Sequence, residues 1–135
     1  MNNSTDSLAL ANAPALATII IYARDIPKTV AFYRDYFGFE TTGESIEGLV
    51  ELNARHGGAS ILVHQAAKSV KLGQVGVKLS FTVQDVEQFV QAAQAQGLAF
   101  GAIHQAHGYQ FANAKDPDHN SISISSRAFR AKPAV

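Results

Sequence analysis

The side chains able to do chemistry in this chain are few. They are five histidines (His56, His64, His104, His107, His119), a lysine set among apolar neighbours (Lys78), and serines alternating with isoleucines in Ser121-Ile122-Ser123-Ile124-Ser125. The absence of cysteine excludes disulfides, thiolate metal ligands and cysteine nucleophiles. No Ser/His/Asp arrangement, phosphate-binding loop or close carboxylate pair is legible. A lysine alternating with apolar residues either snorkels to water or offers a point charge to a carboxylate, phosphate or enolate. Tyr22, Tyr109 and Phe111 supply flat apolar area, and the tyrosines add a hydroxyl.

These groups sit on elements that the sequence marks out. Thr18 to Tyr22 is β-branched and aromatic, and Ile26, Val30, Tyr33 and Phe37 then trace one face of a helix. Asp25 is placed to cap that helix, Pro27 fits its first turn, and Gly38 suits the left-handed position that ends it. Phe32, Tyr33, Tyr36 and Phe37 belong to core or interface packing. A hairpin is expected over 40–45 and 48–53, a turn at Arg55-His56-Gly57-Gly58, and a strand over 59–65.

The plan then recurs. Sixty residues on, Leu79 falls under Ile19, Phe81 under Ile21, Asp85 under Asp25, Val86 under Ile26 and Val90 under Val30, while Gly97 answers Gly38 one residue early. Ser60-Ile61-Leu62-Val63-His64 lies under residues 121–125 at an offset of 61. The chain is therefore two copies of one unit. The second copy predicts a strand over 77–83, a helix over 85–96, strands over 98–104 and 109–115, a bend at His107-Gly108, an Asp116-Pro117-Asp118 turn and a strand over 120–126.

Asp25, Phe32-Tyr33 and Phe37-Gly38-Phe39, with Asp116-Pro117-Asp118-His119-Asn120 before the last strand, resemble the glyoxalase/bleomycin resistance protein/dioxygenase superfamily, the vicinal oxygen chelate (VOC) fold. The resemblance covers residues 16–127. It implies an α+β fold of two tandem βαβββ modules, their sheets forming a curved mixed sheet around a cavity that a second chain often completes. His119 stands where the family commonly has Gly. The resemblance also implies four positions for metal ligands, which fall here on Thr18, Leu62, Lys78 and Ser123. None is a normal ligand, since a metal needs imidazole or carboxylate lone pairs within about 2.0–2.2 Å. No metal is expected at the standard site. His64, Glu51, His104 and His107 are the residues from which a non-standard site could be built.

Strand alternation assigns the faces. Val77, Leu79, Phe81 and Val83 go to the helices, as do Ile122 and Ile124, leaving Lys78, Ser80, Thr82, Ser121, Ser123 and Ser125 on the concave side. By the repeat, Thr18, Ile20, Tyr22, Ser60, Leu62 and His64 face the same way. The expected ligand-binding residues are Thr18, Tyr22, Ser60, His64, Lys78, Ser80, Tyr109, Phe111 and Ser123.

At 135 residues the chain is one domain, and each half alone is too short to bury an adequate core. The expected plan is an N-terminal arm over 1–15, a single domain over 16–127 (module one 16–65, linker 66–76, module two 77–127) and a tail over 128–135. Eleven basic and eleven acidic residues, with no basic stripe, argue against nucleic acid. Leu8 to Ala23 is uncharged, but no Lys or Arg precedes it and Pro14 interrupts it, so neither a signal peptide nor a membrane span is expected. The expectation is a cytoplasmic homodimer that binds a small organic molecule, an anion if Lys78 lends its charge to the site, without a metal or other cofactor. The alternatives are a glyoxalase-like lyase, an isomerase or a dioxygenase with a non-standard metal site, and a scaffold that associates with another protein.

Overall fold

The computed structural model describes residues 15–131. Apart from residue 15, the expected arm lies outside the described residues, as do the last four residues of the tail. Module one runs β1 (Thr18–Ala23), α1 (Ile26–Phe37), β2 (Leu49–Leu52) and β3 (Ser60–Gln65). Module two runs β4 (Lys78–Thr82), α2 (Val86–Ala95), β5 (His104–Gln105), β6 (Gln110–Lys115) and β7 (Ser121–Ser125), and a single 3-10 turn (Arg127–Phe129) follows. The sheets are ordered β1-β3-β2 and β4-β7-β6-β5. In each, the first strand lies parallel to the last and the remainder is antiparallel. No helix among the described residues is long and apolar enough to cross a membrane.

Both helices begin as their sequences predict. The Asp25 carboxylate accepts from the Lys28 N–H at 3.2 Å and that of Asp85 from the Gln88 N–H at 3.0 Å, each satisfying a first-turn donor that has no partner within the helix. Gly38 takes φ 71° and returns its N–H to the Arg34 carbonyl. The strands alternate as expected, except that Val77, expected to pack toward the helices, precedes β4 and is exposed, because the ladder with β7 begins only at Lys78. Ile19, Ile21 and Ala23 of β1 and Ile61 and Val63 of β3 pack inward, and Thr18, Ile20 and Tyr22 stand exposed on the opposite side.

Two expected strands are shorter than predicted. Of the stretch 40–45, only Glu40 makes a bridge, to Asn53. The Gly43 and Glu44 N–H groups instead donate to the Thr41 and Thr42 hydroxyls, local turns that compete with a ladder. Of the stretch 98–104, only His104 belongs to a strand. The Leu98 N–H is spent on Ala93 at the end of α2, and only Gly101 reaches across, to the Asn113 carbonyl.

One core spans both modules. Phe37 of α1 stacks on Phe81 of β4 at 4.1 Å between centroids, and Phe39 meets the same ring edge-on. Carboxylates in the 116–120 turn then fasten module two to α1. Buried Asp116 accepts from the Tyr33 hydroxyl at 2.6 Å, and buried Asp118 accepts from the Thr29 hydroxyl at 2.7 Å and the Arg24 N–H at 3.0 Å. His119 adopts the left-handed φ of 65° that suits Gly. The turn holds it there, because the Asp116 carboxylate takes the N–H groups of Asp118 and Asn120 on either side.

Candidate ligand-binding site

Cross-strand register arranges the outer face of sheet two in three rows. Lys78, Ser121 and Lys115 form the first, Ser80, Ser123 and Asn113 the second, and Thr82, Ser125, Phe111 and His104 the third. Opposed residues in a ladder project to the same side, so each row is a line of neighbouring side chains. Ser123 Oγ donates to Ser80 Oγ at 2.9 Å, and the Lys78 ammonium reaches over β7 to Asn113 Oδ1 at 3.0 Å. Lys115 donates to Ser121 Oγ at 2.8 Å. The His104 ring stacks on Phe111, with centroids 4.9 Å apart, and Tyr109 lies beside Phe111 with Arg127 over its ring.

Sheet one presents a different outer face, with rows of Thr18 and Ser60, of Ile20, Leu62 and Glu51, and of Tyr22, His64 and Leu49. It mixes apolar and polar side chains and carries no lysine or arginine. The Tyr22 and His64 rings lie 5.2 Å apart, and His64 Nδ1 is 2.8 Å from the Gln65 carbonyl oxygen. The expected binding residues thus fall into two groups. Thr18, Tyr22, Ser60 and His64 share one sheet face, and Lys78, Ser80, Phe111 and Ser123, with Tyr109 at its margin, share the other.

A cavity of about 740 Å³ lies where the modules meet. Phe37, Phe39, Phe81 and Phe89 line it, with the turn 54–59 on one side and Lys78, Ser80 and Thr82 of β4 on the other. The repeat accounts for its position. Asp116 and Asp118 answer to Arg55 and Gly57, and Thr29 and Tyr33 answer to Phe89 and Ala93. The clamp that closes α1 onto the 116–120 turn therefore has no counterpart between α2 and the 55–59 turn. Sequence reading missed both the clamp and the gap, although the unmatched aspartates of the second copy were a visible signal.

Among the described residues, the candidate ligand positions do not suit a catalytic metal. At the four positions implied by the family, Thr18 and Leu62 lie on sheet one, while Lys78 is bonded to Asn113 and Ser123 to Ser80. The non-standard candidates are divided, His64 and Glu51 on sheet one, His104 on sheet two and His107 in the bend after β5. Among the described residues, no three His, Cys, Asp or Glu side chains gather to hold an ion.

The model of the Glyoxalase/Bleomycin resistance protein/Dioxygenase superfamily matches residues 15–124. No curated protein matches the sequence. Among solved structures, the chain is similar to a lactoylglutathione lyase from Agrobacterium tumefaciens (TM-score 0.65, 23% identity, 82% of this chain and 92% of that one). It is also similar to TnmS3, an antibiotic binding protein from Streptomyces sp. CB03234 (TM-score 0.69, 18% identity, 82% and 93%). A third similar structure is an integron cassette protein from the mobile metagenome of V. cholerae (TM-score 0.63, 23% identity, 83% and 94%). At these identities the structures share a fold with this chain, and their activities remain their own.

Proposed function

The chain belongs to the glyoxalase/bleomycin resistance protein/dioxygenase superfamily, and from that membership we propose that it binds a small organic molecule without a metal ion. The observation that carries this is the double role of β4. Lys78, Ser80 and Thr82 head the polar rows of sheet two and also border the aromatic cavity between the modules. A molecule lying along the free edge of β4 would place an apolar body against Phe37, Phe81 and Phe89 on one side of the strand and polar atoms near Lys78, Ser80 and Thr82 on the other, the mixture of apolar wall and few polar groups typical of ligand sites. An antibiotic binding protein among the similar structures is in keeping with such a role. Ile20 and Tyr22, on the outer face of sheet one, are about half exposed, at 53% and 48%. A second copy of the chain would cover this apolar area and complete the site as a homodimer.

A second reading is a glyoxalase-like lyase or isomerase with a non-standard metal site. It draws on His64 and Glu51, which share the outer face of sheet one. Native mass spectrometry before and after adding excess Ni, Zn, Mn and Fe(II) separates the two. The expected spectrum is a dimer that gains no stoichiometric metal and shifts in mass on addition of a small-molecule ligand found by screening. One metal per site that survives dilution would overturn the metal-free reading and favour the enzyme.

A further inference from the structure

We propose that Lys78 and Lys115 together form a seat for a doubly charged oxyanion, the phosphate monoester end of a small organic ligand, above Ser121 on the outer face of sheet two. This presupposes that the face binds small molecules and adds the chemical class of the ligand. Lys78 and Lys115 stand in one row on either side of Ser121, so their backbones are two strand spacings apart, about 10 Å. Both ammonium groups fold inward over the sheet, Lys115 to Ser121 and Lys78 to Asn113. Their partners are neutral oxygens. The only ion pairs among the described residues are Arg34 with Asp35 and Arg55 with Glu40, and no row of this face holds a carboxylate.

Two cations folded over the same sheet face without an acid between them repel one another, and an anion placed between them removes that repulsion. The groups that now hold the ammoniums would remain as donors to the same anion, since the Ser121 hydroxyl and the Asn113 amide can both turn. Sheet one has no equivalent, because Thr18 stands where the repeat would put Lys78 and its outer face lacks any cation. The charge is therefore a feature of one end of the site. A dianion suits two ammoniums better than a single carboxylate would. A phosphate monoester loses its second proton near pH 6, so binding should weaken as pH falls below that value.

The test is an amide NMR titration of the full chain with phenyl phosphate and with its neutral dimethyl triester, repeated for Lys78→Met and Lys115→Met. Both lysines are exposed, so neither change threatens the fold. The expected result is that phenyl phosphate shifts the amides of β6 and β7, that either substitution weakens it about tenfold or more, and that the triester binds far less tightly. If both variants bind phenyl phosphate as wild type does, or if the triester binds on this face equally well, the dianion seat is overturned while small-molecule binding stands. If neither probe shifts a resonance of either sheet face, the seat is overturned, and small-molecule binding is then judged by native mass spectrometry with the screened ligands alone.

Discussion

Tyr33 and Asp116 show how much one buried pair carries in this molecule. The Tyr33 side chain is fully buried, and its hydroxyl donates to a carboxylate that also accepts from Asp118, Asn120 and the Asn120 amide. Hydrogen bonds to charged groups contribute more than neutral ones, and removing a partner leaves the carboxylate less well satisfied. Tyr33→Phe should lower stability by about 1.5–3 kcal/mol in urea unfolding at neutral pH. Burial, and after it the Asp116 charge, push the Tyr33 hydroxyl well above the ordinary tyrosine range. The sign of the pH effect follows from linkage. An unfolded tyrosine titrates near about pH 10, and the native one holds its proton beyond that. Stability from this group is thus full below about pH 10 and declines as pH rises further. The gap between wild type and Tyr33→Phe should narrow in urea melts above that pH, and a constant gap up to pH 11 would refute the assignment.

At the scale of elements, the helix caps and the inter-module stack differ in weight. Asp25 and Asp85 each satisfy one first-turn donor at an exposed helix end. Phe81 instead joins Phe37, Phe39 and Tyr33 across the boundary between the modules. Guanidinium unfolding should therefore show a loss of about 1 kcal/mol for Asp25→Ala and about 3 kcal/mol for Phe81→Ala. Equal losses would mean that the aromatic contact between β4 and α1 does not hold the modules together. Elements also explain where expectation and structure part. Thr41 and Thr42 look like strand residues by type, yet their hydroxyls capture backbone donors two residues on and interrupt the pairing of that edge between the Glu40 and Ile46 bridges.

At the scale of the whole molecule, the two modules share a core. The principal core cluster contains Ile21, Val30, Tyr33 and Val63 from module one with Ala93, Leu98 and Ile122 from module two. Residues 16–65 expressed alone should lack a cooperative urea transition, because a chain of that size buries too little surface without its partner. A sharp transition in that fragment, followed by circular dichroism, would contradict a shared core. The duplication is also unequal. One junction is fastened by aspartates and the other is left open as the cavity, so two halves of one plan close unequally.

Much of this was legible in the sequence, including the capped helices, the alternation of the strands and the two-module plan of the VOC fold. Those features rest on local periods and on a pattern that is written twice, and neither depends on knowing what a segment packs against. Lys78, Ser80 and Ser123 could likewise be put on one polar face from alternation alone. The tertiary structure decided the rest. It brought Tyr33 to Asp116 and Thr29 to Asp118, 83 and 89 residues apart, and set Lys115 and Asn113 beside Lys78. It also placed the cavity at the unclamped junction. Such contacts are fixed by strand register and by how two sheets and two helices share a core, and no local period encodes either.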